Sequence, residues 1–365
     1  MEPITASIVR RPRVVVRSYV SGRDERSLAD DVLDGLTRPF KEIPPKHFYD
    51  ARGAELFDRI CELPEYYPTR TERAILETVS DHVAAATAAT ELVELGSGTA
   101  AKTRLLLDAM EAAGLLDRYV PIDVTESMVR TTAAALVREY PGLRVHGVVG
   151  DFERHLSHLP AATGPRLFAF LGGTIGNFTP GSRRRFLRGL ARALSADDHL
   201  LLGTDVVKDP AVIEAAYNDS AGVTAEFNRN VLRVINRELG ADFDVDAFEH
   251  VAFFNREREW IEMRLRARAE QHVRIPELGL DVRFDADEEM RTEISAKFTR
   301  ERLQGDLAAA GLELFGEGLP ALSVQVGDRH VRAALAQPPR RRLTEPARST
   351  DDERAAAFES HGRGP

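Results

Sequence analysis

The sequence predicts an α/β protein: a parallel sheet with helices on its faces, followed by a smaller region of antiparallel strands. Three observations predict it. Between residues 91 and 205, short apolar runs alternate with stretches of helical spacing, as strand–helix repeats of a parallel sheet do. Each run leads into a glycine or polar residue: Gly96, Asp123, Asp151, Asn177 and Asp205. Open sheets of this kind bind ligands beyond the carboxyl ends of their strands. After residue 205 the alternation stops, and period-two segments appear at 260–268 and 289–298.

In chain order, 12–19 reads as a strand around three valines, and 28–36 has helical spacing. The segment 43–53 opens with two prolines and cannot be helix interior there. Residues 56–60 are helical again, 63–70 form a loop dense in tyrosine and proline, and 71–86 read as a helix. That loop either lines a binding wall or packs over a core. Strands follow at 91–95, 119–123, 145–149, 167–171 and 200–205, with helices at 104–110, 127–139 and 182–194 between them. Helices at 211–217 and 221–239 precede the strand 260–268, a strand pair within 271–284, and the strand 289–298. A helix at 302–310 ends at Gly311, and 323–326 with 331–335 are expected to close the sheet. Beyond Gln337 the chain is proline, arginine and acid with little apolar content, the composition of a disordered tail.

Composition narrows the function. At 365 residues, 43% hydrophobic and 29% charged, the chain is an ordinary globular protein with room for two domains. A net charge of −9 argues against nucleic-acid and anionic-membrane surfaces. The single cysteine, Cys61, excludes an internal disulfide framework and fits a reducing cytoplasm. There is no signal-like apolar segment or membrane-length run, and the histidines show no metal-ligand spacing. No metal is expected, and a cytoplasmic monomer is the default.

The stretch Glu91-Leu-Val-Glu-Leu-Gly-Ser-Gly-Thr-Ala-Ala-Lys-Thr103 is a strand, a glycine turn and the start of a helix. Gly96 and Gly98 let a ligand approach the main chain closely. Gly96, Gly98 and Ala101 fit the loose dinucleotide fingerprint, a weak signal alone. Glu94, two residues before Gly96, favours the S-adenosylmethionine version of the loop instead. Asp123 is placed to accept from both ribose hydroxyls, Asp151 from the adenine amine, and Phe152 to pack against the ring. Lys102 is placed to pair with the methionine carboxylate. A nicotinamide site also uses a ribose acid, but it does not call for Gly-Asp-Phe after the third strand and Gly-Asn after the fourth.

Several longer motifs resemble one family. They are Pro44-Pro-Lys-His-Phe-Tyr-Asp50, Leu63-Pro-Glu-Tyr-Tyr-Pro-Thr-Arg-Thr-Glu72, Glu94-Leu-Gly-Ser-Gly-Thr99 and Phe170-Leu-Gly-Gly-Thr-Ile-Gly-Asn-Phe178. Ala221-Gly-Val-Thr-Ala-Glu-Phe-Asn-Arg-Asn230 and Thr292-Glu-Ile-Ser-Ala-Lys-Phe298 complete the set. The chain is similar, from about residue 28 to 335, to the S-adenosylmethionine-dependent histidine N-alpha-methyltransferases of ergothioneine biosynthesis, which convert L-histidine to hercynine. The resemblance implies a Rossmann-like class I methyltransferase sheet with a second, smaller α+β substrate-binding domain. The expected division is an N-terminal extension at 1–22, a cofactor-binding domain at 72–205 and 298–337, a histidine-binding domain at 23–71 and 206–297, and the tail at 338–365.

The same resemblance implies that Asn177 and Tyr217 hold the substrate's carboxylate and amine near Gly172, with Tyr49 beside the reacting nitrogen. Tyr66, Glu293 and Ser295 would surround the imidazole, and Met263 would form the wall beside it. Tyr49 and Asn177 are the catalytic candidates. Strand geometry supports Glu293 and Ser295 independently, since positions i and i+2 share a face. A carboxylate accepts a ring N–H, while a hydroxyl either donates to or accepts from the other nitrogen. Without the resemblance, a solvent-facing Glu293 and a core Met263 are the simpler readings. The alternatives are an N-methyltransferase of another aromatic amino acid, a non-catalytic binding protein and, more distantly, a nicotinamide-dependent oxidoreductase.

Overall fold

The computed structural model describes residues 12–20, 27–314, 323–326 and 329–337. The tail expected at 338–365 lies outside the described residues. The chain begins with β1 (Val14–Ser18), α1 (Leu28–Leu36), α2 (Ala51–Glu62) and α3 (Pro68–Thr87). Strands and helices then alternate as β2 (Glu91–Leu95), α4 (Arg104–Ala112), β3 (Arg118–Asp123), α5 (Glu126–Glu139) and β4 (Arg144–Val149). β5 (Arg166–Phe170), α6 (Pro180–Ala193) and β6 (His199–Asp205) complete that series. Next come α7 (Pro210–Tyr217), α8 (Val223–Leu239), β7 (Phe248–Asn255) and β8 (Trp260–Ala267). The chain continues through β9 (Gln271–Ile275), β10 (Leu280–Phe284), β11 (Glu289–Ala296), α9 (Arg300–Ala309), β12 (Glu313–Leu314), β13 (Ser323–Val326) and β14 (Arg329–Gln337).

The main sheet runs β1-β4-β3-β2-β5-β6-β14-β12, with β13 paired to β14. The first six of these strands are parallel, and β14 closes the edge antiparallel to β6. β2, β5 and β6 are buried along their length, as strands covered on both faces must be. The order of travel reverses between β2 and β5, so the loops leaving these two strands diverge. That gap is where a ligand site belongs in such a sheet. β1, from the N-terminal segment, adds an edge strand in register from Val14 against Val145 to Ser18 against Val149.

A second sheet, β11-β8-β7, is antiparallel, and β9 and β10 form a hairpin. β11 joins the two regions. At its start Arg291 exchanges backbone hydrogen bonds with Lys41 and Ile43, and just past its end Phe298 N donates to Asp205 O at 2.8 Å. The side chains that β11 displays therefore sit beside the carboxyl end of β6.

One expectation is corrected, and one strand is added. The tyrosine-rich loop ends at Tyr67, because Pro68 opens α3 at the first helical position, where its missing N–H costs nothing. The strand β7 went unassigned because the burial along Phe248–Asn255 alternates only in part.

Candidate functional site

The glycine loop is held from several sides. Gly96 and Gly98 have φ of 73° and 47°, a region open to glycine at little cost. Gly96 N donates to Ile122 O at 2.9 Å, and Gly98 N to Asp123 Oδ2 at 3.0 Å. Asp123 Oδ1 accepts from Thr125 N at 2.9 Å, so its carboxylate is aligned by two loops. A Cβ built on Gly98 would meet nothing within 4 Å, which leaves the outer side of the turn open. Beneath it, the buried Glu94 accepts from the Thr103 and Tyr119 hydroxyls. Burial pushes its carboxyl up to about 7 against those hydrogen bonds.

Asp151 and Phe152 follow β4. Asp151 Oδ1 accepts from Glu153 N at 2.7 Å. The Phe152 ring packs edge-on against Phe170 and Phe186, with a ring carbon 3.6 Å from where a Cβ on Gly96 would stand. Lys102 is held by Glu72, a buried residue that the sequence analysis did not single out. Both Glu72 oxygens accept from Gly172 N, at 2.8 and 3.0 Å. A Cβ on Gly203 would lie 2.1 Å from Glu72 Oε1, so a glycine in β6 is what admits this carboxylate.

Beyond β5, Gly172 and Gly173 adopt φ of 78° and 69°, and a 3-10 turn, Thr174–Asn177, follows. That turn presses on β11: a Cβ on Gly176 would come 2.9 Å from Ala296 O and 3.1 Å from Ser295 Oγ. Asn177 is thereby brought close to the face of β11 that bears Ser295. Asn177 is half-buried, and its side-chain amide has no hydrogen-bond partner among the described residues.

On that face Glu293 stands opposite Met263 of β8 in the antiparallel register, and Ser295 opposite Ile261. Met263 is buried at the wall beside Glu293. Glu293 is half-buried, and its carboxylate has no hydrogen-bond partner among the described residues. Burial pushes its pKa up to about 7, with the Lys297 ammonium pulling the other way.

Aromatic residues face this carboxylate. Tyr217, at the end of α7, sits edge-on to Tyr66 at 6.3 Å, and Tyr66 edge-on to Phe57 at 6.2 Å. Tyr49 packs edge-on to Phe57 and Phe227 at 5.6 and 5.5 Å. The residue is 50% exposed, yet desolvation and the neighbouring Glu293 raise the phenol's pKa. Burial raises Tyr66 in the same way, with Tyr217, Cys61, Tyr49 and Glu293 acting on it. These groups thus gather around Glu293 as one recess, with Tyr49 on its exposed side. Cys61 is half-buried, with its sulfur accepting from Thr69 Oγ1 at 3.3 Å.

Two asparagines of α8 set the recess walls. Asn230 Nδ2 donates to Asp50 Oδ1 at 2.8 Å and to Phe48 O at 3.3 Å, fixing the backbone on either side of Tyr49. Asn228 accepts from Thr292 Oγ1 at 2.6 Å and donates to Arg264 O at 3.0 Å, tying the helix to β11 and β8.

Sequence reasoning missed Lys297. It is 1% exposed, and its Nζ reaches Ser295 Oγ at 3.0 Å, Tyr217 OH at 3.1 Å and Asp205 Oδ2 at 3.1 Å. Asp205 in turn accepts from Tyr67 OH at 2.6 Å and from Lys208. The signal was present: Lys297 is the i+4 position of the face that carries Glu293 and Ser295.

Among the described residues no group of three or more His, Cys, Asp or Glu could hold a metal ion, and no helix is long and apolar enough to cross a membrane. The model of a family described as histidine-specific, S-adenosylmethionine-dependent methyltransferase matches residues 28–316. The histidine N-alpha-methyltransferase of Mycolicibacterium smegmatis is 57% identical over 286 residues, covering 78% of this chain and 89% of that protein. The histidine N-alpha-methyltransferase of Mycobacterium tuberculosis is 56% identical over 302 residues, covering 82% and 94%. Ergothioneine biosynthesis protein 1 of Neurospora crassa is 30% identical over 295 residues, 76% of this chain and 32% of that longer protein. With a site of this geometry and matches of this extent, the chain belongs to the histidine-specific, S-adenosylmethionine-dependent methyltransferase family.

Proposed function

We propose that this protein transfers methyl groups from S-adenosylmethionine to the α-amino nitrogen of L-histidine, three times in succession, giving hercynine for ergothioneine biosynthesis. The observation that carries the reading is Glu293: half-buried, its carboxylate without a hydrogen-bond partner among the described residues, and flanked on its own strand by Ser295 and across the sheet by Met263. A small ring with two polar nitrogens satisfies that wall, whereas a purely apolar ring leaves the carboxylate unpaired. The open side of Gly98, the aligned Asp123 carboxylate and the Phe152 ring fit a nucleoside with a ribose diol. Bound there, S-adenosylmethionine would supply an electrophilic methyl on a sulfonium, with Glu94 holding the loop from below and Asp151 near the base. Lys102 would turn from Glu72 toward the methionine carboxylate. Because the sulfonium carries its own leaving group, the proposal assigns no metal.

In this reading Asn177 and Tyr217 hold the amino-acid end beside Gly172, and Tyr66, Glu293 and Ser295 hold the ring. Tyr49 stays protonated over the working range because its pKa is raised. It therefore serves as a relay, passing its own proton to water as it takes one from the amine, and not as a phenolate base. Repeated methylation builds a fixed cation, which the faces of Tyr49 and Phe57 can accept. We assign cofactor binding to 72–205 with 298–337 and histidine binding to 23–71 with 206–297. The reading extends to a monomer in a reducing cytoplasm acting on a free small molecule, with no nucleic-acid or membrane partner.

The test is to incubate the purified protein with S-adenosylmethionine and a panel of free amino acids, and read products by mass spectrometry. Trimethylated histidine as the dominant product is expected. Preferential methylation of another aromatic amino acid would contradict the assignment of Glu293 and Ser295, and binding without transfer would contradict catalysis.

A further inference from the structure

A hydroxyl beside an imidazole nitrogen can donate or accept, so Ser295 alone does not say which form of the ring its site takes. Lys297 supplies the missing constraint. Its ammonium has three N–H donors, and three acceptors surround it: Ser295 Oγ, Tyr217 OH and Asp205 Oδ2. The cluster is buried, and Asp205 is itself held by Tyr67 OH at 2.6 Å, Val206 N at 3.0 Å and Lys208. If Lys297 swung away, its own buried charge would lose all three acceptors and Asp205 Oδ2 would lose one partner. An oxygen that accepts from an ammonium must point its own O–H elsewhere. For Tyr217, elsewhere is the recess it shares with Glu293; for Ser295 it is that recess or the Tyr217 oxygen.

We propose that Lys297 is a positioning residue that fixes Ser295 and Tyr217 as hydrogen-bond donors into the site, so that the substrate ring is accepted as neutral imidazole in a single tautomer. The unprotonated nitrogen takes the Ser295 proton, and the N–H on the other nitrogen goes to Glu293. Tyr217 then offers its proton to the amino-acid carboxylate. The inference rests on the histidine reading of the recess and adds the form in which histidine is bound.

Two further observations agree. Burial alone would lower the pKa of Lys297, but Tyr217 and Asp205 outweigh it and hold the group well above the ordinary lysine range, so the donor stays charged. That charge also acts on Glu293 against the effect of burial and favours the carboxylate that accepts the N–H. An imidazolium would meet the Lys297 cation and find no acceptor for its second N–H. The competing acceptor for the Ser295 proton is the Tyr217 oxygen, which lies close enough to hydrogen-bond it. If Ser295 turned that way, it would be an acceptor toward the ring, and the imidazolium would be the bound form.

The deciding measurement is 15N NMR of ring-labelled histidine bound to the wild-type protein with S-adenosylhomocysteine, followed as pH is lowered through the titration of free histidine. One pyridine-type and one pyrrole-type nitrogen, persisting below the free ring's pKa, are expected. Two protonated nitrogens, or one averaged signal, would overturn the proposal. If no labelled histidine binds, the histidine reading itself fails, an outcome distinct from bound imidazolium. A double-mutant cycle adds a second readout. Lys297→Met should weaken histidine binding by roughly tenfold or more, a change of one decade being the order of a lost hydrogen bond. Binding of S-adenosylhomocysteine should stay within about twofold, the scatter expected of a site not shared. Adding Ser295→Ala to Lys297→Met should then cost less than Ser295→Ala alone. Additive losses would show that Lys297 does not act through Ser295. Should Lys297→Met fail to fold, the spectrum of the wild-type complex decides alone.

Discussion

Replacing Glu293 by glutamine should make the free protein more stable and a worse binder of histidine. The carboxylate has been moved from an ordinary value of 4.5 up to about 7, chiefly by burial. A shift of that size corresponds to about 3 kcal/mol between the two protonation states. Glu293 is only half-buried, and solvent screening leaves about 1–3 kcal/mol as the useful range. The sign follows from linkage. A carboxyl whose folded pKa is raised favours the folded state below about 4.5, and that contribution is lost as pH rises through about 7. Glu293→Gln carries no such loss. Its stability should therefore match or trail the wild type near pH 4.5 and exceed it by about 1–3 kcal/mol near pH 8. Histidine affinity at pH 8 should fall roughly 10–100-fold, the worth of a hydrogen bond to a charged group. Denaturant unfolding across this pH range, with calorimetric titration of histidine, measures both effects. Parallel stability curves for the two proteins would refute the claim that Glu293 is held ionisable and unpaired.

The remaining predictions address other parts of the recess. Tyr49→Phe should slow turnover by roughly 10²-fold, the low end for a positioned proton carrier, with S-adenosylmethionine affinity unchanged. Normal single-turnover rates would remove the relay. Gly203→Ala would drive a Cβ into Glu72, which lies 2.1 Å from that position, and strip Gly172 N of its acceptor. A loss of about 1–3 kcal/mol in stability is expected, together with weaker S-adenosylhomocysteine binding by calorimetry. Unchanged cofactor affinity would mean that Glu72 plays no part in shaping the loop. In wild type, kcat/KM for histidine should rise with pH through about 7 as Glu293 ionises. Glu293→Gln should keep only the limb due to the substrate's own groups, and an identical profile would detach that ionisation from binding.

The parallel sheet was legible because fully buried strands such as β5 and β6 read as unbroken apolar runs that stop at glycine or acid. The glycine loop and Asp123 were legible for the same reason, since a strand end names its own neighbours. β7 was not, because burial along it alternates only in part. Glu293, Ser295 and Met263 came from the family resemblance, with strand periodicity supporting only the shared face of the first two. The cross-strand register that puts Met263 opposite Glu293 is a property of the fold. Glu72 and Lys297 were passed over because a lone charge in a helix or an alternating strand reads as solvated. Only the close approach of α3 to Gly203, and of β11 to Asp205, turns them into buried partners.

The most direct test of the account is where the methyl groups land. Histidine converted with S-adenosylmethionine carrying a 13C-labelled methyl should give one trimethylammonium resonance coupled to the α-carbon, with the imidazole unmodified. Label on a ring nitrogen would mean that the ring and the amine occupy each other's places, and that Glu293 and Ser295 do not hold the imidazole.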